Sequence, residues 1–402
     1  MKLVAMNSSA IFLADSGLSQ AEDATGKSVS RGLDVRSYGA TGDGIADDTA
    51  AFIKTIESLP AGGGAVYVPS GTYLISAPIS LPSNILVFGD GASSLLLASR
   101  HWVAPGQSEF EFFKNVNYTS TTVVDRNITI ENLAFSYTNL RNVPNGGNHA
   151  IRFRKAGNIR ISSCTFLYGN DATALLGCVD TVIFGCEALY QNNACYDHWE
   201  GPKFAKVIGC YAYPVDEITG KLLGASILFN SSGGTDTPPQ ANSILVANNE
   251  LYSNVYVGTL DKVSSVRNVQ IIGNYINGVS RVGGVIGDGD CQQVLVSGNI
   301  FEAIEGDCAI RFCGNPKYPP AIPAFVSVCN NQIFSPNVSS MSLAAIRLQG
   351  DHCVVVGNTV TGGNYPYALH CDSKLGAIST GNLFERGKHG TVTCVGPVRA
   401  GD

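Results

Sequence analysis

One octet recurs ten times between residues 128 and 384 and fixes what this chain can fold into: apolar, any, apolar, any, Gly/Ser/Asn, Asn/Cys, any, apolar, with Leu at the sixth place of the first copy. Clear copies are IRISSCTF (159–166), VLVSGNIF (294–301) and VSVCNNQI (326–333). ITIENLAF opens the series, and TVIFGCEA, AKVIGCYA, ILVANNEL, VQIIGNYI, CVVVGNTV and AISTGNLF fill the gaps. The sixth position reads Leu133, Cys164, Cys186, Cys210, Asn249, Asn274, Asn299, Asn331, Asn358 and Asn382, at intervals of 22 to 39 residues. Alternating apolar residues make a strand with one buried face. The following Gly, Ser or Asn suits a sharp turn through left-handed dihedrals. A unit this short cannot bury its own face, so successive units must stack, with like side chains about 4.8 Å apart. Asn amides stacked at an inward corner can hydrogen-bond from coil to coil. The expected fold is therefore all-β, a single-stranded parallel β-helix, since no coil carries the 3.6-residue stripe of a helical solenoid.

Composition narrows the rest. Charged residues are 14% against 45% apolar, which excludes a disordered chain. No run approaches the roughly 18 apolar residues of a membrane span. With 26 basic and 32 acidic residues and no Lys/Arg block, a nucleic-acid partner is not expected. Twelve cysteines in 402 residues read as buried thiols rather than a disulfide scaffold. Cys308 and Cys313 have no second pair or nearby His to complete a zinc site, and no metal or cofactor is expected. The polar Asn7-Ser8-Ser9 interrupts the N-terminal apolar residues, making a poor signal-peptide core.

Before the repeats, Asp47, Asp48 or Thr49 can cap a helix running to about Leu59, with Ala51, Phe52, Ile53 and Ile56 on its apolar side. Such a helix closes the open edge of a first coil. The strings DVRSYGATGDGIADDTAAF, GGGAVYVPSGTYLIS and NILVFGDG resemble the opening of the pectate lyase superfamily of right-handed β-helix proteins. That group includes polygalacturonase-like hydrolases, mannuronan epimerases and phage tailspikes. The resemblance implies a right-handed coil with four parts. Residues 1–32 are a linker or virion-attachment segment, 33–100 the N-terminal cap and first coils, 101–385 the β-helix, and 386–402 a C-terminal tail. It also implies a carbohydrate-active protein of a virion tail or the extracellular space. As a tailspike depolymerase it would be a homotrimer, contacting other tail proteins through residues 1–32 and a bacterial surface polysaccharide through its side. A bacterial lyase, hydrolase or uronate epimerase and a non-catalytic receptor-binding tail protein are the alternatives, because this opening is shared by all of them.

Two clusters carry candidate chemistry. Tyr196-Asp197-His198-Trp199-Glu200 supplies titratable groups for acid–base work on a glycosidic bond or a uronate C5 proton, so Asp197, His198 and Glu200 are the expected acid–base group. Tyr196 and Trp199 offer faces for sugar stacking. The segment resembles the epimerase catalytic segment in setting Asp and His among aromatics, without its Asp-Pro-His order. About three coils on, Asp288, Asp290, Asp307 and Arg311 come from neighbouring coils. The strands AIRF (309–312), AIRL (345–348) and ALHC (368–371) place Arg311, Arg347 and His370 in one outward column. Stacked guanidiniums repel unless an anion or carboxylate lies between them, which fits a subsite for acidic sugars; a surface salt-bridge ladder is the plainer reading.

Overall fold

The computed structural model describes residues 32–101, 109–140, 147–231, 240–259, 264–278, 283–314, 322–338, 344–373, 377–395 and 398–400. The expected attachment segment, apart from Gly32, lies outside them. Among the described residues, three parallel sheets of 14, 13 and 12 strands run side by side, each complete coil adding one strand to each. A representative coil contributes Ala156–Ser162 to the first sheet, Thr165–Leu167 to the second and Asp171–Leu176 to the third. The next coil repeats this with Val179–Phe184, Glu187–Leu189 and Ala194–Trp199, in unbroken parallel register. Ladder hydrogen bonds therefore run between coils, and the core is a single apolar column enclosed by the sheets.

The octet spans the corner from the first sheet to the second. Its fifth residue is left-handed in all ten copies, with φ between 52° and 67° from Asn132 and Ser163 through Gly357 and Gly381. The sixth residue points inward. Asn249, Asn274, Asn299, Asn331 and Asn358 are buried, and each Nδ2 donates to the next amide's Oδ1 at 2.8 to 3.0 Å, ending on Asn382. Cys164, Cys186 and Cys210 occupy the corner in earlier coils as buried thiols.

Helix α1 (Thr49–Glu57) lies over the first coil. Of the three residues expected to cap it, Asp47 accepts from the Thr49 N–H at 3.0 Å, while Asp48 turns back to the Thr41 N–H at 2.7 Å. Phe52 is fully buried and meets Tyr73 edge-on at 5.5 Å, whereas Ile53, expected on the apolar side, is 37% exposed. One helical step from Phe52 carries it past the narrow stripe that faces the coil. At the other end, Val392–Val395 and Val398–Ala400 extend the third and first sheets, so the segment expected as a tail supplies strands of a last coil.

The third sheet breaks strict alternation at one place. In seven of its coils, a small residue and the one after it are both buried: Ala150 and Ile151, Ala172 and Thr173, Cys195 and Tyr196, Ser226 and Ile227, Ala309 and Ile310, Ala345 and Ile346, Ala368 and Leu369. A small residue followed by a larger one bends the strand, as a bulge does. Both the Ser226 and the Ile227 N–H point at the Asn254 carbonyl, at 3.1 and 3.2 Å. Side chains just before and just after the bend then both face outward, on the inside of a shallow angle.

Candidate functional site

The residue after each bend forms one outward column: Arg152, Ala174, Asp197, Leu228, Tyr256, Ile286, Arg311, Arg347 and His370, paired coil to coil. Before the bend, Glu111, His149 and Asp171 stand in register. Asp171 is 1% exposed and heavily engaged. Its Oδ1 accepts from the Ala194 N–H at 2.8 Å and Asn193 Nδ2 at 2.9 Å, and its Oδ2 lies 2.7 Å from His149 Nδ1. The His149 contact lacks the alignment of a straight hydrogen bond. These bonds pin the Asp171 carboxylate between two coils.

Asp197 follows the bend one coil further on, 4% exposed, with its Oδ1 buried and without a hydrogen-bond partner. Burial first, and the charge of Asp171 second, hold its carboxyl well above the usual carboxylate range. The Trp199 side chain, the His198 backbone and the Arg152 guanidinium pull more weakly the other way. A carboxylic acid that keeps its proton beside a fixed carboxylate is the arrangement needed to give a proton to one oxygen and take one from another.

The other members of the pentapeptide divide by strand parity. Tyr196 is fully buried and its hydroxyl donates to the Cys186 and Tyr211 carbonyls at 2.9 and 3.1 Å, which makes it core rather than a sugar-stacking face. His198, expected in the acid–base group, also points inward. It has no exposed surface, neither ring nitrogen has a partner, and its ring stacks on Phe229 at 4.5 Å. Period-2 alternation sends residues 196 and 198 to the core and 197 and 199 outward. Trp199 is half-buried on the outer face. Glu200, at φ 60°, takes both ends of Arg154 at 3.1 Å, bridging two coils. Its carboxylate thus anchors the rim of the cluster.

Burial pushes the His198 imidazolium down to about 3. A depressed base favours folding fully above its unfolded value of 6.5, and this contribution is lost as pH falls towards 3. His198→Phe is therefore expected to keep cleavage and to flatten that acid loss. Removing an unpaired buried polar group should gain about 1 kcal/mol at either pH, and the gain should be larger at pH 4, where the parent has lost stability through His198. Thermal unfolding at pH 4 and 7.5 measures it, and loss of cleavage in a folded His198→Phe protein would return the ring to the acid–base group.

The second cluster lies on the same column, with Arg311 four coils beyond Asp197, roughly 19 Å. Asp288 is three coils beyond, as expected. Arg311 Nη2 grips both Asp288 oxygens at 3.0 and 3.1 Å, and its Nη1 contacts Asp307. Asp290 accepts from Gln292 Nε2 at 2.7 Å and does not join them. The next two rungs, Arg347 and His370, pair in register with Arg311; the buried Arg347 Nε and His370 Nδ1 have no hydrogen-bond partner. Burial and Arg347 push the His370 imidazolium down. Between the two clusters the floor is Leu228, Tyr256 and Ile286, with Tyr256 half-buried as an aromatic face. Among the described residues, no three His, Cys, Asp or Glu side chains are grouped to hold a metal ion.

Glu111, His149, Arg152 and Asp171 were not singled out from the sequence. The signal was present in the small–large–polar triplets Ala150-Ile151-Arg152 and Cys195-Tyr196-Asp197. These repeat the Ala-Ile-Arg pattern that located Arg311 and Arg347.

Residues 32–197 match the family described as Rhamnogalacturonase A/epimerase, pectate lyase-like. The pre-neck appendage protein of Bacillus phage phi29 is 33% identical over 156 residues, 39% of this chain but only 16% of that protein's length. Among solved structures, PfbA, a surface adhesin of Streptococcus pneumoniae, superposes over 89% of this chain and 93% of its own with a TM-score of 0.66 at 17% identity. The tailspike of E. coli bacteriophage HK620, solved with a pentasaccharide, covers 90% of this chain and 67% of its own with a TM-score of 0.63 at 14% identity. At such identities the structural likeness speaks for fold alone. Residues 32–197 thus match a pectate lyase-like family, 156 residues of the chain are similar to a phage appendage protein, and the described residues form a right-handed parallel β-helix.

Proposed function

We propose that this protein is a virion-borne depolymerase that hydrolyses an acidic polysaccharide of a bacterial surface along the outer face of its third sheet. The observation that carries the reading is Asp197, a buried carboxyl with one oxygen unpartnered beside the pinned Asp171, whose charge together with burial shifts it towards the protonated form. Asp197 donates its proton to the glycosidic oxygen as the bond from that oxygen to the anomeric carbon breaks. A water attacks the same carbon and gives its proton to the Asp171 carboxylate, which the Ala194 N–H and Asn193 hold in place. Along the column, Tyr256 and Trp199 stack sugar rings. Arg347, with Arg311 held between Asp288 and Asp307, faces the polymer's negative charge. Binding energy from these distant units is what lowers the barrier at the bond being cut. Glu200 positions Arg154 at the rim.

Virion attachment is supported by the likeness to the phi29 appendage protein. Assembly as a homotrimer is supported by the first sheet. From Gln240 to Thr380 its strands carry one charged residue, Arg267, and Phe325 and Ile378 are 54% and 45% exposed on it. Sedimentation velocity measures that state. The function is tested on a panel of capsular, lipopolysaccharide and uronate polymers by following reducing ends, absorbance of unsaturated products and uronate NMR. New ends without absorbance are expected. New ends with absorbance would make it a lyase, altered uronate in intact chains an epimerase, and binding without change a receptor-binding protein.

A further inference from the structure

A second face of the coil carries aromatic side chains in a density that the acid pair does not explain. On the second sheet, the middle residue of each three-residue strand is buried, as with Phe166, Ala188, Ala212 and Ile276. The flanking residues face out. Glu187, Tyr211, Glu250 and Tyr275 stand in one register column, and Leu189 and Tyr213 in the other. Tyr213 lies 5.1 Å from Tyr252 and 6.2 Å from Tyr190, Tyr211 lies 5.6 Å from Tyr252, and Tyr190 stacks on Tyr168 at 5.1 Å. All of these residues are half-buried.

Carboxylates are threaded through the patch. The Tyr252 hydroxyl donates to Glu250 at 2.9 Å, that of Tyr275 to Glu302 at 2.5 Å and that of Tyr168 to Glu217 at 3.0 Å. Each exposed carboxylate is oriented by a tyrosine and keeps acceptor capacity for further donors. The strands Thr165–Leu167, Glu187–Leu189, Tyr211–Tyr213, Glu250–Leu251, Tyr275–Asn277 and Ile300–Glu302 hold no Lys or Arg. This is the reverse of the third sheet, where Arg311 and Arg347 lie.

We infer that the tyrosine face of the second sheet, centred on Tyr211, Tyr213 and Tyr252, is a separate, non-catalytic binding site for a neutral glycan strand lying along the coil axis. Pyranose rings present C–H faces that pack on aromatic rings, and their hydroxyls donate to carboxylates, so rings interleaved with Glu250 and Glu302 match both halves of a sugar. The coil rise of ~4.8 Å is comparable to the length of one sugar unit, so successive rings meet successive coils. The acidic rim repels uronates and other anionic polymers, which makes the ligand class differ from that of the third sheet. The inference shares with the proposed function only the carbohydrate nature of the ligand.

The test uses the full chain carrying Asp197→Asn, so that nothing bound is cut, on an array of neutral and anionic bacterial glycans. Retention of neutral glycans is expected, weakened about tenfold or more by Tyr213→Ala with Tyr252→Ala and largely kept by the paired Tyr→Phe changes. Unchanged thermal unfolding of the Phe pair guards against misfolding. Three results overturn the inference: retention of anionic glycans alone or of none, equal retention by the Ala pair, or a smaller particle for the Ala pair in sedimentation, which would make the face a contact between copies. Failure of the depolymerase reading shows instead as absent cleavage by the unsubstituted protein, whatever the tyrosine variants do.

Discussion

Asp197→Asn is expected to lower polysaccharide cleavage by about 10²–10⁴-fold, the usual contribution of a positioned acid, while making the folded protein more stable at neutral pH. The two effects have one cause. Burial and Asp171 raise the Asp197 carboxyl above its unfolded value of 3.8. A group with a raised folded pKa binds more protons in the native state, so its contribution is complete below about 3.8 and is lost as pH climbs through the folded value. The amide has no proton to lose, so the stability difference between variant and parent should open above pH 4 and widen until Asp197 has ionised. Cleavage should fall over the same alkaline range, because the acid form is the working form. Asp171→Asn separates the pair: it keeps an oxygen for the Ala194 N–H and removes the charge that raises Asp197. Residual activity in that variant should lose its alkaline limb at a lower pH. Full cleavage by Asp197→Asn, or an alkaline limb that Asp171→Asn leaves in place, would remove the pair from the mechanism.

Asn331→Leu is expected to cost about 3–6 kcal/mol, a large share of the roughly 5–15 kcal/mol that holds a typical domain. Asn331 is fully buried, and its Oδ1 accepts from both the backbone N–H and Nδ2 of Asn299 at 3.0 and 2.9 Å. Its Nδ2 donates to the Val296 carbonyl and to Asn358 Oδ1, both at 2.9 Å. Leucine has the same branched shape but leaves two donors of Asn299 and two acceptors short of a partner in a site closed to solvent. Since coils contact mainly their neighbours, the loss should be local. Hydrogen exchange should rise most in the coils of Asn299, Asn331 and Asn358. Asn382→Leu, at a part-buried rung, should cost clearly less, because solvent reaches the groups it strands. Equal costs at the two positions would mean that the ladder does not act through burial.

The corner could be read from the sequence because its physics is local. A left-handed residue and an inward side chain sit next to each other, so the requirement returns in every coil at the same place. The same holds for the outward column of Arg311, Arg347 and His370, whose strands share the Ala-Ile-Arg or Ala-Leu-His pattern. The segment 196–200 is less legible from local pattern. Its five polar and aromatic residues looked like one cluster, yet alternation alone assigns Tyr196 and His198 to the core and leaves Asp197 outside. Glu200 reaches an arginine two coils away, a partner that no local pattern names.

By itself the sequence determined the coil: its strand alternation, its turning residue, its Asn ladder and the helix that closes its first edge, all consequences of interactions within a few residues or between identical positions of adjacent repeats. Only the tertiary structure decided which carboxylates meet. Asp171 and Asp197 lie 26 residues apart, in different strands and at different places in their coils, and a bend after Asp171 brings both to one side. That meeting shifts Asp197 towards its protonated form, because excluded water and a nearby like charge each raise a carboxyl, and here both depend on stacking one coil upon the next.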